Sequence, residues 1–275
     1  MRVKRVLVID GNTAAIRARQ REMVGYATGE GYTRTLRSLD EHLSIDIVTP
    51  ADGAAELPAG TDLSAYDGVA VTGSALNVYD GGPAVERQIA IVQEAFAARK
   101  PLFGSCWGLQ IAVAAAGGEI VPNPRGREFG FGRRIQLTPA GKSHPMYAGK
   151  PEVFEAPTVH LDAVARLPVG ATVLAENDHG IQAVVGARDT FWAVQYHPEY
   201  DFLDIAAAAE RYAGTLIREG IFSDGAAVAA YTSDMRALQA NPREKSLLWR
   251  YGLGTAVADR RIRSLELRNW LSSLA

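Results

Sequence analysis

Short β-branched runs alternate with longer stretches of helical period along most of this chain, and that alternation restricts its fold more than any other feature. "RVLVID", "SIDIVTP", "YDGVAVTGS" and "KPLFGS" read as four strands. Between them lie "YTRTLRSLDEHL", "PAVERQIAIVQEAFAARK" and, after Cys106, "WGLQIAVAAAGG". The second of these places Val85, Ile89, Val92 and Phe96 on one face, as a helix packed on a sheet requires. The third stops at Gly117 and Gly118, residues that end helices readily. Strands joined by crossover helices run parallel, so the expected class is α/β, an open, mostly parallel sheet flanked by helices.

From Glu119 to about Gly186 the texture changes to short strands punctuated by Pro and Gly: "RRIQLTP", "EVFEAPTVH", "ATVLAEN" and "GIQAVV". This is a β-rich excursion. "DTFWAVQYHPEY" then returns as an almost wholly apolar strand, and "LDIAAAAERYAGTLIREG" supplies a long helix. The simplest division is a domain over 1–220 and a helical C-terminal extension over 221–275. In the extension Leu265, Trp270, Leu271 and Leu274 offer an apolar stripe for the core, a partner or a second copy of the chain.

Charge and composition exclude several classes of function. Among 275 residues, 29 basic side chains face 31 acidic ones for a net charge of -2, which leaves no electrostatic footprint for nucleic acid or a membrane surface. A single cysteine makes neither a disulfide nor a Cys-based metal cluster, and it suits a reducing, cytoplasmic location. The apolar part of "MRVKRVLVIDGN" is too short for a signal peptide. No metal-ligand spacing and no Gly-x-x-x-x-Gly-Lys-Ser/Thr loop occurs, so neither a metal nor another cofactor is expected. The partner to look for is a small-molecule substrate.

That lone cysteine sits in "FGSCWGLQ", a Gly-x-Cys-x-Gly turn between a strand and a helix, the layout of a nucleophile elbow. So sharp a turn needs tiny residues two before and two after its tip, and Gly104 and Gly108 meet that demand. The tip lies at a helix N-terminus, where the dipole favours a thiolate and free amides can bind an oxyanion. The competing reading is a small buried side chain in a glycine-punctuated turn. A nucleophile needs a base, and His197 in "AVQYHPE" follows an apolar strand at the same carboxyl edge of the sheet. Glu199 stands two residues on, on the same side of an extended chain, where it can orient the imidazole. Nucleophile, base and orienting acid together make a triad with cysteine in place of serine.

"GSCWGLQ" with "AVQYHPE" resembles the class I glutamine amidotransferases, a triad family that hydrolyses glutamine to glutamate and ammonia. The resemblance runs from about Val6 to Ile217. Within the family, "YDGVAVTGSALNVYD", "HLDAVARLPVGATVLAEND" and "IQAVV" are most similar to the amidotransferase domain of GMP synthetase. It implies a flavodoxin-like fold, attack by Cys106 on the glutamine side-chain amide, and a γ-glutamyl thioester that water hydrolyses. His197 is then the base and the proton donor to the leaving ammonia, with Glu199 as its partner. The oxyanion is assigned to the N–H of Trp107 and one amide of the Gly73-Ser74-Ala75 turn, where many relatives carry Gly-Gly-Pro. Gln110 is carried over as a contact to the substrate α-amino and α-carboxylate groups, and His160, in a segment that lines the pocket in relatives, as a second substrate residue. His42, His144 and His179 read as helix-end or turn residues, and Glu128, Arg133 and Arg134 as solvated charges.

The leading expectation is a stand-alone glutaminase that passes ammonia to a separate synthetase chain. The alternative is a hydrolase or transferase of γ-glutamyl groups on a small molecule or peptide, which uses the same thioester. A third, from another class, is a non-catalytic regulatory subunit, against which the three intact triad residues argue.

Overall fold

The computed structural model describes residues 2–53 and 56–274. Its strands are β1 (Arg5–Ile9), β2 (Ser44–Val48), β3 (Gly68–Val71), β4 (Leu102–Ser105), β5 (Glu119–Pro122), β6 (Glu128–Leu137), β7 (Val153–His160), β8 (Asp162–Arg166), β9 (Thr172–Asn177), β10 (Gly180–Val185) and β11 (Phe191–Val194). One nine-stranded sheet has the order β2-β1-β3-β4-β11-β10-β9-β6-β7, and β5 pairs with β8 beside it. The run from β2 to β11 is parallel. The excursion adds its strands antiparallel to the same sheet. The expected mostly parallel, flavodoxin-like sheet is therefore present, and the excursion widens it.

Alternation along the strands explains why both faces are covered. Val6 and Val8 of β1 point to one face with Phe103 and Val194, while Leu7 and Ile9 point to the other with Val71 and Leu102. A parallel sheet with two apolar faces must be flanked on both sides. The helices Pro83–Ala97 and Trp107–Ala115 cover one face, and the helix Thr28–Leu39 lies on the other.

The C-terminal extension completes that second face. Trp270, Leu271 and Leu274 of the expected stripe are buried there with Leu267, and the Trp270 ring centroid stands 5.8 Å from that of Phe103. A Cβ on Gly68 of β3 would come within 2.8 Å of Trp270, so the helix sits almost on the strand backbone. The helix Gly225–Ala240 packs on the helix Phe202–Arg211 through Val228, Met235 and Leu238.

Three features depart from the sequence reading. The helix Ala14–Val24 gave little periodic signal because Gln20 is its only buried residue. The strand β8 was hidden in a segment of mixed polarity. The long helix after β11 breaks at Tyr212 into Phe202–Arg211 and Ala213–Arg218. Among the described residues no helix is long and apolar enough to cross a membrane.

Candidate active site

Cys106 stands between β4 and the helix Trp107–Ala115 with φ 54° and ψ -103°, a conformation that costs a non-glycine residue on the order of 1–3 kcal/mol. The backbone around it is as crowded as the turn demands. A Cβ on Gly104 would stand 2.4 Å from the carbonyl carbon of Gly108, and one on Gly108 would stand 2.4 Å from the carbonyl oxygen of Val71. The amide of Cys106 donates to the Val194 carbonyl at 2.8 Å, so the end of β11 holds the elbow. Its thiol lies 3.7 Å from the Val159 carbonyl oxygen and is nearly buried.

Three residues beyond Val194, the same strand end delivers His197. Its backbone N–H donates to Pro157 at 2.8 Å, and its Nδ1 lies 2.7 Å from Glu199 Oε1. Glu199 falls in a turn rather than on extended chain, and its carboxylate folds back onto the ring. Tyr200 stacks on the imidazole at 3.8 Å between centroids and 11° between planes. Burial by itself would lower the His197 pKa, but the facing charges of Glu199 and Cys106 outweigh it and push the pKa up to about 10. Gly73 closes the other side, since a Cβ there would lie 2.6 Å from His197 Cε1.

The turn after β3 narrows the choice of oxyanion donor. The amide of Ala75 is taken by Asn12 Oδ1 at 2.9 Å, and that of Leu76 by Ser74 Oγ. The amides of Gly73, Ser74 and Trp107 have no acceptor among the described residues. Asn12, Tyr200, Arg211 and Tyr212 also line the small cavity around the sulfur, beyond the residues expected there from the sequence. Tyr200 was the one within reach, as the aromatic residue directly after His-Pro-Glu. Arg211 and Tyr212 lie where the broken helix turns back, which no local pattern signals. The cavity holds about 20 Å³, room for about one water, so any larger substrate must displace lining side chains.

Gln110 lies in the first turns of the elbow helix, buried at 2 % exposure, without a side-chain hydrogen bond among the described residues. His160 is bound inside the protein: Nδ1 meets the Asp162 carbonyl at 3.0 Å and Nε2 meets Glu128 Oε2 at 2.9 Å. Glu128 is thus not the solvated charge expected from its sequence. It is buried and also accepts from Asn177 and Gln182. Burial raises its pKa, yet the His160 contact, the Asn177 donor and the nearby His179 hold it below the usual glutamate value. His144 is likewise no free loop residue, for its ring accepts from the Met146 amide and meets Trp192 edge-on. Arg133 and Arg134 are exposed, as expected.

Comparison with known proteins adds independent information. The profile of the glutamine amidotransferase class-I family matches residues 29–202. The chain is 38% identical to a γ-glutamyl-L-1-hydroxyisopropylamide hydrolase of a Pseudomonas species, over 98% of this chain and 92% of that one. It is 31% identical to the GMP synthase of Thermotoga maritima, over 62% of this chain and only 31% of that one. Among solved structures, a glutamine amidotransferase from Thermotoga maritima superposes with a TM-score of 0.68 and 19% identity, covering 100% of this chain and 99% of that one.

Proposed function

The chain belongs to the class I glutamine amidotransferase family, and from that membership we propose that it is a γ-glutamyl hydrolase acting on the amide of a small γ-glutamyl compound. One observation carries this choice over ammonia delivery. The likeness to the γ-glutamyl amide hydrolase spans nearly the whole of both chains, C-terminal extension included, whereas the likeness to GMP synthase covers a third of that protein.

Cys106 Sγ attacks the γ-carbonyl with its proton held on His197, whose basicity Glu199 raises. The tetrahedral oxygen takes its hydrogen bonds from the Trp107 amide and from Gly73 or Ser74. On collapse, His197 gives the proton to the departing amine, and the γ-glutamyl thioester remains on Cys106. Water, deprotonated by His197, then hydrolyses the thioester to glutamate. Gln110, buried beside the elbow, contacts the α-amino and α-carboxylate groups. His160 orders the β6–β7 hairpin through Glu128 rather than touching substrate.

Glutamate release from γ-glutamyl alkylamides and from glutamine tests the reading. The expected kcat/KM for an alkylamide exceeds that for glutamine by about tenfold or more. Equal or faster turnover of glutamine, stimulated by a separate synthetase, returns the glutaminase reading.

A further inference from the structure

A cavity of about 380 Å³ shares Tyr200 and Thr28 with the small cavity around the sulfur and lies between the helix Thr28–Leu39, the turn from Glu199 to Asp204, and the C-terminal extension. Its volume falls in the range of small-molecule sites. Two residues of its lining each carry a buried polar atom without a partner among the described residues, Arg263 Nε and Glu199 Oε2. Arg263 is 7 % exposed, and the Glu199 side chain 5 %. Unpaired buried polar groups destabilise a fold, and they are ordinarily satisfied by protein, water or ligand.

Charge on the lining tells which ligand. Arg34, Arg260 and Arg263 all face this cavity, and none has a carboxylate within 4 Å among the described residues. The acids nearby are already engaged: Asp201 caps a helix and accepts from Gln239, and Asp204 accepts from Tyr26 and from the Asp201 amide. Burial, reinforced by Asp201, also pushes the Asp204 pKa up, which weakens its offset of the arginines. Arg260 donates one N–H to Ser38 Oγ and Arg263 one to the Val257 carbonyl, so what is left over is their remaining guanidinium donors with those of Arg34, and one carboxylate oxygen.

We infer that this cavity is a second small-molecule site for a free amino acid, its carboxylate held by Arg34, Arg260 and Arg263 and its ammonium by Oε2 of Glu199. Phe202, Pro242 and Ala258 leave room for an apolar side chain. Arg260 and Arg263 both come from beyond residue 220, so the extension builds the site. Its effect on turnover rests on the proposed role of Glu199 as the acid that orients His197; the existence of the site does not. An ammonium on Oε2 draws negative charge away from His197, and the occupied enzyme hydrolyses its substrate more slowly.

Calorimetric titration of the full chain with L-leucine tests the site, alongside 4-methylpentanoate and isopentylamine, which each lack one of the two charges. The expected result is one L-leucine per chain, bound about tenfold more tightly than either analogue. Binding should be unchanged in Cys106→Ala, which separates this cavity from the catalytic one. Arg34→Gln, at an exposed position that spares the fold, should weaken L-leucine by about tenfold, as should Arg263→Gln if it folds. Linkage requires the leucine concentration that slows γ-glutamyl alkylamide hydrolysis to shift by the same factor in Arg34→Gln. Absence of binding heat, equal binding of either analogue, or affinity indifferent to Arg34→Gln would overturn the site. Leucine binding in a chain that hydrolyses no γ-glutamyl compound would sink the proposed catalysis and leave the site standing.

Discussion

His197 is held between Glu199 and Cys106 and beneath Tyr200, and its acid–base behaviour follows from that placement. Cys106→Ala should lower kcat by about 10⁴-fold or more, and Glu199→Gln by about 10³-fold or more, with KM little changed in either. Single-turnover assays on a γ-glutamyl alkylamide check both. The raised pKa of His197 is also a statement about stability. The folded state holds this proton more tightly than the unfolded chain, where the pKa is near 6.5. The resulting stabilisation is complete below about pH 6.5 and is lost as pH rises through about 10. Urea unfolding of the wild type and His197→Gln across that interval should show the wild-type advantage shrinking as pH rises; a constant difference would mean that the pKa is not raised.

At the scale of elements, the site is a junction of strand ends. β4 carries the elbow, β11 binds the Cys106 amide and then supplies His197, and the turn after β3 offers the free amides of Gly73 and Ser74. These strands are neighbours in the sheet though thirty or more residues apart in sequence, so one parallel register aligns all three. Gly104→Ala would push a methyl group into the backbone of Gly108, at the point where β4 and its helix are closest. The expected cost is about 1–3 kcal/mol of stability together with a loss of activity, measured by denaturation and by glutamate release. Gly104, Cys106 and Gly108 were legible as an elbow because its steric demand is local. Val159, which approaches the sulfur from β7, was not, because its place depends on how the excursion pairs.

Across the whole molecule, a buried ion pair helps to fasten the extension. Lys150 Nζ lies 2.9 Å from Glu266, which also accepts from Tyr196 at 2.6 Å, and Tyr196 is in turn hydrogen-bonded to Tyr147. Glu266→Ala would strand a buried ammonium, and the expected loss is about 3–5 kcal/mol by urea unfolding. A chain ended at residue 220 would expose the sheet face that Trp270 and Leu271 cover, and it should fail to unfold cooperatively. The sequence by itself determined the order of the parallel strands and the helices that cross between most of them, the elbow and the His-Pro-Glu segment, because steric demand and hydrophobic period act between near neighbours. Only the tertiary structure decided that Glu128 is buried, that Arg211 and Tyr212 line the sulfur's cavity, and that the extension belongs to the core. Each of these depends on which surfaces meet across many residues, and burial then sets whether a charge is solvated, paired or left in want of a ligand.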